Sequence, residues 1–177
     1  MISSGRASSV VFNGDGYSDA WPIEAEKRGL KNLKTTLDAL PELITDEALA
    51  LFEKYGVFNH REMHSRYEIG LEQYAQTIEV EARLTLEIGA TVILPAAVRY
   101  QTEVALNIGA LKSAGVETDT SSLDAVTTPL TALRSALATL GDAVAGEAGD
   151  TALAEAEHAQ NVLLPAMLAV RAAADTL

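Results

Sequence analysis

The sequence predicts an all-α protein: an antiparallel bundle of three long, proline-kinked helices with short N-terminal helices packed at one end. Three observations predict it. Apolar residues recur at steps of three and four along three separate stretches, the spacing of a helix face. Aromatics make up only 5% of the 177 residues while hydrophobic residues make up 48%, the balance of a bundle core built from Ala and Leu. The linkers between the later stretches are short, which makes neighbouring helices antiparallel.

Composition also bounds the partners. The formal net charge is -12 and the pI is near 4.6. Nucleic acid and anionic membrane would repel such a chain, because binding either one needs clustered Lys and Arg. There is no cysteine, hence no disulfide framework or thiolate metal site, as is common in the cytoplasm. No run approaches eighteen apolar residues, and MISSGRASS lacks the blocks of a signal peptide. The expectation is a soluble cytoplasmic protein with neither nucleic acid nor membrane as partner, of a length that suits one domain or one domain with an arm.

In chain order, residues 1–9 mix Ser, Gly and Arg and are expected to form a disordered tail or to be a cloning remnant. Val10-Val11-Phe12, ended by Asn13-Gly14-Asp15-Gly16, reads as an orphan strand entering a turn. One strand cannot make a sheet, so it either pairs outside this chain or stays irregular. A phosphate cradle is excluded there because the Lys and the glycine spacing are missing. A calcium loop is excluded because Tyr17 and Ser18 stand where an oxygen ligand and a glycine are needed. Pro22 suits the first turn of a short helix from Trp21 to Arg28, closed by Gly29. Asn32 to Leu40 offers another turn before Pro41. Thr45 caps Asp46 to Tyr55, with Leu49, Phe52 and Tyr55 on its buried side, and Gly56 ends it.

The bundle proper is expected over 59–177. Asn59 and Glu62 form an asparagine version of the capping box, so a long helix starts there and runs to Gly115. Its stripe is Tyr67, Leu71, Tyr74, Ile78, Ala82, Thr85, Ile88 and Val92. Pro95 lacks an N–H and its ring presses on the carbonyl one turn earlier, which predicts a kink or cut near Leu94. After VETDTSS, a second rod carries Leu123, Val126, Leu130, Leu133, Leu137, Leu140 and Val144 as an a/d seam. Pro129 means that this rod either begins with a bend or starts near Thr128. The turn Gly146 to Asp150 leads to a last rod with Leu153, Ala156, Gln160, Leu163, Met167, Val170, Ala174 and Leu177. Val92-Ile93-Leu94-Pro95-Ala96 and Val162-Leu163-Leu164-Pro165-Ala166 share one pattern, as expected of two helices bending around the same core.

No catalytic, cofactor-binding or metal site emerges. His60 and His64 share a helix face, but HREMH is not HExxH and only His158 remains to join them. Glu68, Glu72, Glu79, Glu81 and Glu87 lack the Glu-x-x-His pairs of a bundle metal centre and read as a solvated face, partly paired with Arg66 and Arg83. No Ser-His-Asp or Cys-His set can be assembled.

The segments FNGDGYS, EAEKRGLKNL, LFEKYGVF and SRYE, with ILPAAVRY further on, resemble the C-terminal region of type III glutamine synthetases over residues 10–177. The resemblance implies an ATP-dependent ligase, using Mg or Mn, that joins ammonia to glutamate through a glutamyl phosphate in large cytoplasmic rings. Its metal and substrate ligands come from a β-rich catalytic body that precedes FNGDGYS, so no catalytic residue is carried onto this chain. Residues 10–58 would then continue from that body, and a tail with Trp and Pro is expected beyond AAADTL. The implied partners are the catalytic body and neighbouring subunits of a homo-oligomer. The rival readings are a free-standing acidic bundle that binds a partner, and a bundle metalloenzyme.

Overall fold

Residues 10–177 are described by a computed structural model, and their regular structure is entirely helical. The tail expected over residues 1–9 lies outside the described residues.

The first helices are short because each has a local stop. Helix α1 (Ala20–Lys27) carries Pro22 in its first turn, where the missing N–H has no partner to lose. Helix α2 (Thr36–Ala39) is capped by Thr35, which accepts from Asp38 N at 3.1 Å, and a 3-10 turn follows at Leu40–Ile44. Helix α3 (Asp46–Lys54) is capped by Thr45, whose hydroxyl accepts from Ala48 N. Tyr55 was expected on its buried side but is 67% exposed. The helix ends at Lys54, so Tyr55 leaves the face shared by Leu49 and Phe52. The strand expected at Val10–Phe12 does not form. This stretch is irregular, Phe12 lies on Trp21 with ring centroids 4.7 Å apart, and Arg28 Nη1 donates to the Val11 carbonyl at 2.8 Å. A lone strand has no ladder to gain, so the ring contact prevails.

Helix α4 (His60–Ile88) opens with the full capping box: Glu62 N donates to Asn59 Oδ1 at 3.0 Å and Asn59 N to Glu62 Oε2 at 2.8 Å. It runs through a π turn (Gly89–Ile93) into α5 (Leu94–Ser113), and Gly115 at φ 80 ends the rod. The proline fault is this π turn. In α geometry Pro95 would need to donate to Thr91; widening the turn so that Leu94 N reaches Gly89 O moves the carbonyls clear of the ring. The last rod repeats the solution: α7 (Ala152–His158), a π turn at Ala159–Leu163, then α8 (Leu164–Ala174) with Pro165 in its first turn. Between them α6 (Ser121–Ala145) runs through Pro129, and just before it Asp119 accepts from Ser121 N at 2.9 Å.

Packing follows from the seams. Helix α6 returns along α5, then α4, and α8 lies against α6 and α4. Val126, Leu130, Leu133, Leu137 and Leu140 of the predicted seam are all buried. Leu133, Leu137 and Leu140 cluster with Ala75, Ile78 and Ala82 of α4 and Leu163 and Val170 of the last rod. Where the rods come closest the long one carries a glycine, since a Cβ on Gly89 would stand 2.6 Å from Leu137 Cδ2 and one on Gly70 would stand 2.9 Å from Leu40 of the 3-10 turn. Four seam positions are exposed: Ile88 at 44%, Val92 at 59%, and Leu153 and Leu177 at 41%. On the long rod the buried line passes through Ala82 and Gly89 instead, one residue out of phase with Ile88. Leu153 lies in the first turn of α7, and Leu177 lies beyond the end of α8.

Candidate functional site

The side chains that could carry chemistry are scattered by this fold. His60 and His64 stack with centroids 4.6 Å apart in the first turns of α4, yet the Glu62 between them is engaged in the cap. Among the described residues no group of three or more His, Asp or Glu converges as a metal site would require. Glu68, Glu72, Glu81 and Glu87 are exposed. Glu79 is half-buried and pairs with Arg83. Arg66, expected to pair with an acid, lies over the Phe58 ring at 4.2 Å instead, a cation–π contact. The turn Asn13–Gly16 is closed by Asp15, which accepts from Tyr17 N at 2.9 Å. No helix among the described residues is long and apolar enough to cross a membrane.

Two clefts remain. One, of about 570 Å³, lies under the turn between α6 and α7, with Glu79, Glu147, Asp150, Glu155 and His158 at its rim and Ala75 and Leu163 at its floor. There His158 Nε2 stands 3.1 Å from the Ala143 carbonyl, so the imidazole serves the end of α6. The other, of about 520 Å³, lies beside Arg66, Ser65 and Gln73. Among the described residues neither holds a group of three or more His, Asp or Glu placed to take a metal.

What residues 10–58 do present is apolar surface. Val10, Val11, Tyr17, Ile23, Leu51, Tyr55 and Val57 are each more than half exposed, Tyr17 completely. Beneath the first of them, Phe12, Trp21 and Arg28 form a rigid patch: the guanidinium sits 5.7 Å from the Trp21 ring centre and its Nε donates to Glu24 Oε1 at 2.8 Å. That bond holds the Glu24 carboxyl below its ordinary pKa. Among the described residues α1 makes no extensive contact with the bundle. Its aromatic unit was expected to pack on the bundle end, and it packs on Phe12. The missed feature is this surface, and its trace in the sequence is a density of large apolar residues without a helical seam to receive them.

The family described as the glutamine synthetase C-terminal domain matches residues 3–112. The chain belongs to that family. It is 41% identical over 104 residues to a glutamine synthetase of Butyrivibrio fibrisolvens, a match that covers 59% of this chain and 15% of that protein. It is 36% identical over 102 residues to a type-3 glutamine synthetase of Dictyostelium discoideum, covering 58% and 14%. A glutamine synthetase of Bacteroides fragilis is 33% identical over 103 residues, again 58% and 14%. The matched stretch thus spans about one seventh of the length of these relatives. The glutamine synthetase match takes in the exposed apolar segment, α4 and α5, while α6 to α8 lie beyond its end.

Proposed function

We propose that this chain is the helical C-terminal part of a cytoplasmic type III glutamine synthetase, that it supplies no catalytic group, and that it braces the catalytic body and meets neighbouring subunits. The ATP-dependent ligation of ammonia to glutamate, with its Mg or Mn, then belongs to the body. The observation that carries this reading is the exposed apolar face of residues 10–58 around the Phe12–Trp21 stack, inside the stretch that matches the family. Uncovered apolar surface of that density is what a folded segment shows when its other wall lies outside it. The net charge of -12 supports a protein partner over nucleic acid.

The test has two arms. The chain alone, given glutamate, ATP, ammonia and Mg, is expected to form no glutamine; measurable turnover would end the claim that it is silent. A separately purified catalytic body of a type III enzyme should bind the chain in calorimetry, and Tyr17→Asp with Ile23→Asp should weaken that binding at least tenfold. Binding that ignores both substitutions would remove the face from the contact.

A further inference from the structure

On the long rod Val80, Leu84, Ile88 and Val92 are 65%, 52%, 44% and 59% exposed. Val80, Leu84 and Ile88 follow one another by four residues on α4, and Val92 continues the ridge into the π turn. Singly exposed aliphatics are ordinary on any protein, but a continuous row is the mark of a contact surface. Ile88 also edges a groove of about 360 Å³, and the opposite wall carries Leu164 and Leu168, the latter 65% exposed.

We propose that a second copy of this chain covers the ridge in an antiparallel two-fold contact. The proposal rests on the subunit-contact part of the function argued above and names its surface. Two features select a second copy over an unrelated protein. The first is the palindromic order of side chains: an axis midway between Leu84 and Ile88 sets Val80 of one copy against Val92 of the other, and Leu84 against Ile88, so like volumes meet on both sides. An isologous contact requires such self-complementarity.

The second is charge. Arg83 and Glu87 are four apart and therefore flank the ridge on one side. Arg83 is 64% exposed although it bonds Glu79, while Glu87 is exposed and makes no ion pair among the described residues. The same axis brings Arg83 of each copy within about 3 Å, measured along the helix, of Glu87 of the other. Two reciprocal pairs arise from one axis. In a chain of net charge -12, self-repulsion opposes association, and these pairs fix the one face where it is offset.

Sedimentation equilibrium of the 177-residue chain tests this. The expected result is a dimer that dissociates on dilution through the micromolar range. Leu84→Asp with Ile88→Asp should leave only monomer with an unchanged helical melt, since both positions are exposed. Arg83→Glu and Glu87→Arg should each weaken the dimer several-fold, and the two together should restore it, which a merely structural role for either residue would not produce. A chain that is monomeric at every concentration, a dimer indifferent to the aspartates, or charge variants that fail to rescue each other would overturn the proposal. Calorimetry of the Leu84→Asp, Ile88→Asp variant with the catalytic body separates the two readings. Retained binding keeps the bracing role whatever the dimer does. Lost binding in a chain that is already monomeric would mean that the body covers the ridge, which also overturns it.

Discussion

Among the described residues all but two of the buried apolar side chains lie between Met63 and Ala173; the two outside that span are Ala25 and Leu49. Over the same chain, residues 10–58 leave Val10, Val11, Tyr17, Ile23, Leu51, Tyr55 and Val57 in solvent. The two regions do not differ in the kind of side chain available to them. They differ in whether the chain supplies an opposing wall. In the bundle each seam faces another, so Leu133 and Leu140 are completely buried. In the N-terminal segment Ala25 and Leu49 are buried and Leu40 lies against Gly70 of α4, while the side chains named above stay in solvent. One region holds the buried core, and the other carries the exposed apolar face proposed above as a contact surface.

The bundle side of the comparison is tested by Leu137, which packs between Gly89 and the last rod. Leu137→Ala should lower stability by about 2–5 kcal/mol, the combined loss of transfer energy and a cavity that the neighbours cannot collapse into. Tyr17→Ala and Ile23→Ala, in the same chain without a partner, should each change stability by about 0.5 kcal/mol or less. Urea unfolding of the three variants measures the contrast directly. A loss at Tyr17 comparable to that at Leu137 would mean that the N-terminal face is already covered within the chain.

A smaller effect is expected where the two regions join. Asn59 closes the irregular stretch and opens the long rod through reciprocal bonds with Glu62. Asn59→Ala should cost about 1 kcal/mol, as loss of a cap usually does, and amide exchange should quicken over the first turn of α4 while the Leu133 layer stays protected. Exchange that quickens equally in both places would show that the bundle depends on how the N-terminal segment enters it.

How far the sequence disclosed this arrangement differs from element to element. The α6 seam is legible because it faces two rods at once, and nothing else competes for its leucines. The cap at Asn59 is legible because both partners are three residues apart. The phase of the long rod is not, since apolar residues lie on two of its faces. Periodicity alone takes Ile88 and Val92 for core, whereas Gly89 carries the closest approach and the aliphatics beside it form the exposed ridge. The π turns are hidden in the same way: a proline announces a fault, but only the packing on both sides decides that the turn widens and the rod continues. The exposed face of residues 10–58 could not be read in advance, because exposure depends on how the short helices pack and not on their periodicity.

The charge of Asp38, in the N-terminal segment, reaches Tyr74 in the bundle and gives the finest test. Tyr74 Oη on α4 donates to Gln160 Oε1 at 3.2 Å. Burial first, and then the nearby Asp38 carboxylate on α2, hold the phenol above its ordinary pKa of 10.0. Because the folded value is raised, the unfolded chain releases this proton first. The contribution to stability is therefore fully present below the ordinary value and is lost as pH rises through the folded one. Ultraviolet titration should show a phenol ionising later than the ordinary tyrosine range, and stability should fall in that window. Tyr74→Phe should abolish the late component, at a neutral-pH cost of about 0.5–1.5 kcal/mol for the bond that Gln160 loses. Asp38→Asn should move the late component back toward the ordinary value without touching the seam. If Asp38→Asn leaves the titration unchanged, the N-terminal segment and the bundle are electrostatically independent, and the division between them is sharper than the geometry implies.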